Sequence, residues 1–506
     1  MNLLPLFPAR VIFHLLSEKR HGPIWRVFHF IREKRRLGGL LLAGGLAGAP
    51  LAAQPVQSVQ DAIVADALAD KSGHEFLTHL CDDFGGRLTG STSSRGALER
   101  TLAELKALGV EARLEPFKMP GWVRGDDEAV MLAPVVRRLR AASLSYTQPH
   151  EKFEAEVVDI HDGREADYAG LGDVAGKIGL LAPNTAQPAR LLEATAVHHG
   201  LRGILFIDRV AGGQLLCRTG SFAGQPLRIP VYSVTQEEGN WMARLLQRGE
   251  KVRVSLLTRS HCEETATANL VATFPGRTAD TIIVGAHFDS WDLGQGAMDN
   301  GIGTGELFAL AKVLQRHAPQ NLRTIELVWF NGEEQGLWGS SVHAAAAKGR
   351  PVAAMVNLDM VGFPLSVNAL GYDELVPLLE QFNASLGARK LKQGVSNINW
   401  FGSDQISFQL EGIRSITLGG RIEPDAVRYY HDFADTIDKV DPRLIPEATA
   451  TIAALVYRLA NEPALPTTRR TAEETAALFR KYDLDKRMKS LGVWPFGDPP
   501  PEPKKP

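Results

Sequence analysis

Imidazole and carboxylate side chains collect after several predicted strands in the second half of the chain. Each of these groups is a good ligand for a divalent metal ion of the zinc class. The carboxyl ends of parallel strands meet at one edge of a sheet, so side chains that follow such strands lie close together. The set comprises His287, Asp289, Asp299, Glu333, Glu334, Asp359 and His431.

Two histidines and three carboxylates exceed the needs of one metal ion, because a single four-coordinate zinc takes three protein ligands and a water molecule. We predict two zinc ions that share Asp299 as a bridging ligand. The remaining ligands are His287 and Asp359 for one ion, and Glu334 and His431 for the other. Two such ions, about 3.5–4 Å apart, can activate a water molecule and stabilise both the attacking and the leaving atom.

Glu333 is next to a predicted ligand but is not needed as one, so we expect it to act as the general base. Asp289 is expected to hold the His287 ring and fix its tautomer. Residues 402–404 and the loop 421–430 are expected to line the substrate pocket, with Ser403, Asp404, Arg421 and Tyr430 as the substrate-binding candidates.

Other patterns in the sequence do not support a competing chemistry. The histidines of the segment 74–79 are five residues apart, whereas two zinc ligands on one helix face are four apart. There is no Gly-x-Ser-x-Gly motif of a serine hydrolase. The three cysteines are far apart and lack a Cys-x-x-Cys spacing, which excludes a thiolate zinc site and a disulfide framework.

The elements that must position these residues alternate between strand and helix from about residue 269 onward. Continuous apolar and β-branched runs predict buried strands, and the segments between them have helical periodicity. This pattern predicts an α/β fold with a doubly wound, largely parallel sheet and helices on both faces. The predicted strands are 281–286, 324–330 and 352–359, and the predicted helices are 303–315 and 337–348.

The first 53 residues have the order of a secretory signal. Residues 1–36 carry eight lysines or arginines and two acidic residues, and residues 37–53 are apolar or small and uncharged. We predict a signal peptide or leader over 1–53 and a secreted or periplasmic protein, with an uncleaved, membrane-anchoring leader as the alternative. A net charge of −2 argues against a nucleic-acid-binding role.

The site motifs resemble those of the di-zinc exopeptidase family that includes leucyl aminopeptidases and glutamate carboxypeptidase. The resemblance covers roughly residues 62–462, and segments 86–91, 122–125 and 289–292 are most similar to the carboxypeptidase Q group. It implies a metal-bridging turn at Met298-Asp299-Asn300-Gly301, with a cis peptide bond after Asp299. It also implies that residues 153–259 form an inserted protease-associated domain.

The predicted organisation is therefore a discontinuous zinc peptidase domain, 54–152 and 260–465, that contains this insert. Residues 466–506 are expected to add one helix, 472–481, and a proline-rich tail. Within the metal site, the sequence Asn357-Leu358-Asp359 has the form found in aminopeptidase relatives, where the carboxypeptidase Q group tends to have Glu-Ser-Asp. The resemblance thus leaves open which end of the substrate is recognised.

The predicted function is hydrolysis of peptide bonds in dipeptides or short peptides by a carboxypeptidase Q-like enzyme with two zinc ions. An aminopeptidase of the same family, a non-catalytic receptor on this fold and a single-zinc acyltransferase are the alternatives. Arg421 and Arg428 are candidates for binding a substrate carboxylate, whereas Asp404 and Glu423 are candidates for binding an amino terminus. The expected partner is a peptide substrate, and a homodimer is left open.

Overall fold

Two eight-stranded sheets organise the part of the chain that the computed structural model describes, residues 56–183, 185, 187–317 and 321–497. The predicted leader, 1–53, and the proline-rich end of the chain lie outside these residues. Among the described residues, no helix is long and apolar enough to cross a membrane.

The strands have the following bounds: β1 (Glu111–Val123), β2 (Glu128–Ala133), β3 (Arg137–Arg138), β4 (Ala141–Ser143), β5 (His150–Asp159), β6 (Ile178–Leu181), β7 (Gly203–Ile207), β8 (Val231–Val234), β9 (Arg253–Thr258), β10 (His261–Phe274), β11 (Thr278–His287), β12 (Arg323–Phe330), β13 (Val352–Asn357), β14 (Phe363–Asn368), β15 (Gly394–Ser396) and β16 (Ser415–Arg421).

The α-helices are α1 (Val56–Ala69), α2 (Ser72–Phe84), α3 (Thr92–Ala107), α4 (Ala189–His198), α5 (Gln236–Gln247), α6 (Ile302–His317), α7 (Trp338–Ala346), α8 (Val376–Ser385), α9 (Gln405–Leu410), α10 (Pro424–Val427), α11 (Leu444–Asn461), α12 (Ala472–Lys481) and α13 (Leu484–Leu491).

The first sheet has the strand order β1-β10-β12-β11-β13-β16-β14-β15. Its central strands β12, β11, β13 and β16 are parallel, and β10 and β14 pair with them antiparallel. The strands predicted at 281–286, 324–330 and 352–359 are confirmed as β11, β12 and β13, and the helices that follow the first two are confirmed as α6 and α7. The predicted α/β fold with a largely parallel sheet is therefore confirmed.

Both faces of this sheet are covered by helices, which explains the continuous apolar runs of the central strands. Ile282 and Val284 of β11 belong to a core that includes α6 and α11, whereas Ile283 between them belongs to a second core with α7 and α9. Successive side chains of a strand point to opposite faces, so every position of β11 from Thr281 to His287 is buried. The carboxyl end of β11 is consequently held rigidly between two helical layers.

The second sheet has the order β3-β2-β9-β5-β6-β7-β8-β4 and carries helices α4 and α5. It begins at Glu128, before residue 153, where the predicted insert starts. The difference arises because β2 pairs with β9, so that Val130 lies opposite Ser255. Local periodicity cannot reveal a pairing between strands that are so far apart in the chain. The predicted domain boundaries otherwise stay predictions.

Candidate metal centre

Two groups of three potential metal ligands lie at the carboxyl ends of β11, β12 and β13, and the two groups share Asp299. Within each group, one ligand atom per residue lies within 4.8 Å of the others. His287 ends β11, Glu334 follows β12, and Asp359 follows β13. The first group is His287, Asp299 and Asp359, and the second is Asp299, Glu334 and His431. The sequence predicted this same division of ligands.

Asp299 presents a different oxygen atom to each histidine. Its Oδ1 lies 3.1 Å from His287 Nε2, and its Oδ2 lies 2.9 Å from His431 Nε2. His431 Nε2 is also 3.1 Å from Glu334 Oε2, and His287 Nε2 is 3.8 Å from Asp359 Oδ1. A carboxylate that faces two imidazole rings in this way has the arrangement required of a bridging ligand.

Both histidine rings are oriented by main-chain carbonyl groups. His287 Nδ1 is 3.0 Å from the carbonyl oxygen of Asp289, and His431 Nδ1 is 3.0 Å from the carbonyl oxygen of Cys217. A carbonyl oxygen can only accept, so each ring carries its hydrogen on Nδ1. Nε2 of each ring is then the nitrogen that is left to bind a metal ion.

The bridging residue sits in a tight turn, 297–301, between β11 and α6. The carboxylate of Asp435 accepts hydrogen bonds from the main-chain N–H groups of Met298 and Asp299, at 2.7 and 3.2 Å. The peptide bond between Asp299 and Asn300 is cis, as the family resemblance implies. Burial raises the pKa of Asp435 to about 7. Asp435 is a positioning residue that the sequence did not reveal, because its contacts are with main-chain atoms.

The side chain of Asp289 bonds main-chain groups and not the His287 ring, which was its predicted partner. Its carboxylate accepts hydrogen bonds from the main-chain N–H groups of Glu333 and Glu334, at 3.2 and 3.3 Å. The distance from its Oδ1 to His287 Nδ1 is 3.8 Å, too long for a hydrogen bond. The main-chain carbonyl of Asp289 orients the ring, and its side chain fixes the turn that carries the two glutamates.

The centre has more negative than positive side chains. Burial raises the pKa of Glu333 well above its usual value, and the nearby carboxylates of Glu334, Asp404 and Asp359 raise it further. Burial also raises the pKa of Glu334 to about 7. Glu334 Oε1 is buried and has no hydrogen-bond partner among the described residues. Both the charge and the unpartnered oxygen fit a divalent cation.

The four predicted substrate-binding residues differ in their burial. Ser403 and Asp404 are buried, and Ser403 Oγ accepts a hydrogen bond from Asn357 Nδ2 at 2.8 Å. The Tyr430 ring packs against His431, with ring centroids 4.2 Å apart. Arg421 is largely exposed, and its guanidinium group faces Glu423 and the ring of Phe363.

A cavity of about 390 Å³ near His431 is lined by four arginines that the sequence analysis missed: Arg190, Arg209, Arg218 and Arg487. No acidic side chain is among its lining residues. Cys217, which contacts His431, precedes Arg218 directly, and Arg209 Nη2 donates a hydrogen bond to Tyr430 Oη at 2.9 Å. These arginines are spread over three distant parts of the chain, so no sequence spacing could have grouped them. We call this feature the arginine cavity.

The chain resembles known peptidases in sequence and in structure. Residues 269–456 match the model of "Peptidase family M28". Carboxypeptidase Q from Bos taurus is 28% identical over 498 residues, which cover 92% of this chain and 97% of that protein. Leucine aminopeptidase 2 from Trichophyton equinum is 29% identical over 298 residues, 57% of each chain.

Two solved structures share the fold. A peptidase M28 precursor from Shewanella amazonensis has a TM-score of 0.72 and 22% identity, and covers 82% of this chain and 99% of its own. A zinc aminopeptidase from Bacillus subtilis has a TM-score of 0.65 and 21% identity, with 79% and 97% covered. Every predicted metal ligand lies within the segment that matches the family model. Residues 269–456 are therefore similar to peptidase family M28, and the chain is a metallopeptidase.

Proposed function

We propose that this protein is an exopeptidase with two zinc ions that hydrolyses dipeptides and short peptides. The observation that carries the proposal is the pair of ligand groups that share Asp299. A single-zinc acyltransferase would need only one such group, and a non-catalytic receptor would need neither. The fit of the site to cations rests on its excess of carboxylates and on the unpartnered oxygen of Glu334.

Glu333 supplies the proton transfers in the proposed reaction. When bound, zinc ions would polarise the substrate carbonyl and lower the pKa of the attacking water to roughly 7. The Glu333 carboxylate takes a proton from that water and later donates it to the leaving amine. Asp289 keeps the Glu333 main chain in place through the hydrogen bond to its N–H group.

We propose that the enzyme recognises the carboxyl end of its substrate. The support is the arginine cavity, because guanidinium groups bind carboxylates in a planar, two-pronged geometry. Nε and Nη2 of Arg218 are buried and have no hydrogen-bond partner among the described residues. Asp208 Oδ1 lies 3.7 Å from Nη2, too far for a hydrogen bond, and burial without hydrogen bonds is costly for a charged group. A substrate carboxylate would satisfy these donors.

Recognition of an amino terminus is the second candidate. Asp404 favours it, because this buried carboxylate has no hydrogen bond to either oxygen within the described part of the chain. The sequence Asn357-Leu358-Asp359 points in the same direction. The arginine cavity is the stronger support, because its guanidinium groups line a space that can hold a ligand, whereas Asp404 is fully buried.

Three related substrates separate these specificities: Ala-Leu, N-acetyl-Ala-Leu and Ala-Leu amide, each with zinc-loaded protein. The proposal predicts hydrolysis of the first two and little hydrolysis of the amide. Cleavage of the amide but not of the acetylated peptide would instead mean an aminopeptidase, and cleavage of Ala-Leu alone a strict dipeptidase. If zinc supports hydrolysis of none of the three, the proposed function is wrong.

Export from the cytoplasm is proposed on the sequence alone, from the basic segment and the apolar run of residues 1–53. N-terminal sequencing of the protein purified from its native host tests this proposal. A mature chain that starts near residue 54 is the expected result, and a chain that retains residue 1 would contradict cleavage.

A further inference from the structure

The three segments 86–91, 122–125 and 289–292, which the sequence singled out, meet in one buried cluster. The cluster takes one side chain from each segment and two from connections of the second sheet: Leu88, Trp122, Trp291, Tyr146 and Cys217. None of these five residues is a predicted metal ligand or the predicted base. The proposed chemistry therefore leaves open why these distant segments are gathered beside the metal centre.

Arg124 connects two parts of this region. Its guanidinium group bonds the Asp292 carboxylate through two nitrogen atoms, since Nε donates to Oδ2 at 2.6 Å and Nη2 donates to Oδ1 at 3.1 Å. Nη1 donates to the main-chain carbonyl oxygen of Ser143, at the end of β4, at 3.0 Å. The Arg124 side chain is only 14% exposed, and its Cζ lies 4.7 Å from the centre of the Trp122 ring. A guanidinium group held in this way fixes both of its partners, so Arg124 ties the loop after β11 to the second sheet.

The main chain beside Arg124 is itself firmly held. Arg124 lies between β1 and β2, where the chain passes from the first sheet to the second. The N–H group of Gly125 donates to Ser260 Oγ at 3.0 Å, in the connection that returns from β9 to β10. Asp127 Oδ1 accepts hydrogen bonds from the main-chain N–H groups of Arg259 and Ser260 at 2.7 and 2.9 Å. The two connections are thus bonded to each other, which gives the Arg124 side chain a fixed base.

Two members of the cluster hold His431. This residue has a left-handed φ of 62°, a conformation that a residue with a side chain keeps only where its surroundings determine it. The N–H group of Cys217 donates to the carbonyl oxygen of His431 at 2.9 Å, and the carbonyl oxygen of Cys217 lies 3.0 Å from His431 Nδ1. The Trp291 ring packs edge-on against the imidazole ring, with centroids 6.0 Å apart. These contacts set the direction of His431 Nε2, which faces Asp299 and Glu334.

Both contacts of His431 lead back to Arg124. Trp291 precedes Asp292 directly in the chain, so the ion pair of Asp292 with Arg124 limits where the indole ring can lie. Arg124 Nη2 is also 3.5 Å from Cys217 Sγ. A displacement of this one guanidinium group would therefore disturb both groups that hold the imidazole ring.

We propose that Arg124 is a positioning residue for the metal site to which His431 belongs. It fixes Trp291 and Cys217, and these two residues hold the imidazole ring with Nε2 directed at the other ligands. The inference rests on the proposed function, because it concerns one of the two proposed zinc sites.

The His287 site should depend on Arg124 much less. His287 ends β11, and the carbonyl oxygen of Asp289 orients its ring. The side chain of Asp289 is held independently, by the main-chain N–H groups of Glu333 and Glu334. A positioning role for Arg124 is therefore selective for one site, whereas a general loss of stability would affect both.

Zinc affinity, measured one site at a time, tests this selectivity. His287→Ala leaves the His431 site and His431→Ala leaves the His287 site, and each full-length protein is titrated with zinc against a competing chelator. In the His287→Ala protein, Arg124→Met should raise the Kd of zinc about 10–100-fold, the range typical of residues that support ligands. In the His431→Ala protein, the same change should raise the Kd less than about twofold, as expected for independent sites.

Two further variants and a matched control complete this experiment. Asp292→Asn breaks the ion pair from its other side and should act in the same direction, so it replaces Arg124→Met if that variant does not fold. Arg124→Lys should lose less affinity, because an ammonium group can pair with Asp292 but lacks the planar fork of donors. Arg248→Met is the control, since this arginine is 62% exposed and pairs with the exposed Glu250. It should change neither Kd.

The orientation of His431 can also be measured without metal. Its Nδ1–H group, bonded to the Cys217 carbonyl, should give an exchange-protected proton NMR signal in the metal-free protein, identified by its loss in His431→Ala. Arg124→Met should abolish this signal, and Arg248→Met should keep it. Equal weakening of the two zinc sites, no weakening of either, or an unchanged signal in Arg124→Met would overturn the positioning role. A wild-type protein that neither binds zinc nor hydrolyses peptides, with a signal that still depends on Arg124, would reject the proposed function but retain this role.

Discussion

Glu333 and Glu334 are neighbours in sequence, yet their carboxylates have different surroundings. Glu334 Oε2 lies 3.1 Å from His431 Nε2 and belongs to a ligand group, whereas Glu333 belongs to neither group. The main-chain N–H groups of both residues are held by Asp289. In the proposed reaction, this fixed turn presents the Glu334 carboxylate as a ligand and the Glu333 carboxylate as a proton carrier.

Glu333→Gln should abolish most turnover without releasing metal. The amide keeps the size of the side chain but cannot accept the proton, so kcat should fall by roughly 10²–10⁴. Metal analysis of the purified variant should give the wild-type zinc content. Glu334→Gln is the comparison, and it should lose zinc. If Glu333→Gln loses zinc and Glu334→Gln does not, the two assignments are reversed.

The sequence was sufficient to predict which imidazole and carboxylate side chains the structure brings together, because each of them follows a predicted strand or lies in a turn beside one. It was not sufficient to find Asp435 or Cys217. Asp435 bonds the N–H groups of Met298 and Asp299, and Cys217 contacts His431 through its carbonyl oxygen. Contacts with main-chain atoms leave no pattern in the side-chain sequence.

At the scale of elements, α6 carries an unexpected buried acid. Glu306 is fully buried, and neither of its carboxylate oxygens has a hydrogen-bond partner within the described residues. Burial raises its pKa well above the usual 4.5. The buried carboxyl therefore makes α6, the helix that follows the bridging turn, less stable than it would be with an apolar residue at this position.

Glu306→Leu should stabilise the protein, and the gain should grow with pH. Below the unfolded-state pKa of about 4.5 the carboxyl is protonated in both states, so only the buried polar group is removed, worth about 1–3 kcal/mol. Above it, the unfolded chain releases the proton and the folded protein does not, which destabilises the fold of the unmutated protein. Urea unfolding of metal-free wild type and variant, at about pH 5 and about pH 8, measures both effects.

Glu75→Leu on α2 is a control for that experiment, because it replaces an acidic residue of a helix that is only partly buried. Its effect should vary little between the two pH values. A Glu306→Leu variant that is less stable than wild type, or whose gain shrinks as the pH rises, would show that Glu306 is ionised and stabilised in the fold.

Element prediction succeeded for strands that are marked by their own apolar sequence and failed for a strand whose end depends on its partner. β11, β12 and β13 are buried on both faces and read as continuous apolar runs. β1 extends to Val123 along β10, so that Val123 lies opposite His261. Residues 118–123 include a proline and a glycine, which conceal a strand that is supported by a distant partner.

At the scale of the whole molecule, the second sheet reaches into the metal centre. The segment that follows β7 contacts the His431 loop at two points. The N–H group of Cys217 donates to the carbonyl oxygen of His431 at 2.9 Å, and the N–H group of Leu215 donates to Asp432 Oδ2 at 2.7 Å. The position of His431, a predicted metal ligand, therefore depends on a segment outside the first sheet.

Asp432→Ala should weaken zinc binding although Asp432 is not a ligand. Loss of its carboxylate frees Leu215 and loosens the segment that orients His431, and residues that support ligands typically affect metal affinity by about 10–100-fold. Competition with a chelator measures the affinity. Asp438→Ala is the control, since that side chain is 69% exposed and pairs with Lys439. Equal affinities in the two variants would contradict a positioning role for the second sheet.

The central claim is that two metal ions share Asp299, and anomalous X-ray scattering at the zinc edge tests it most directly. Crystals of the zinc-loaded protein should give two peaks about 3.5–4 Å apart, one on each side of the Asp299 carboxylate. One peak should contact His287 and Asp359, and the other Glu334 and His431. A single peak, or two peaks that Asp299 does not bridge, would contradict the account.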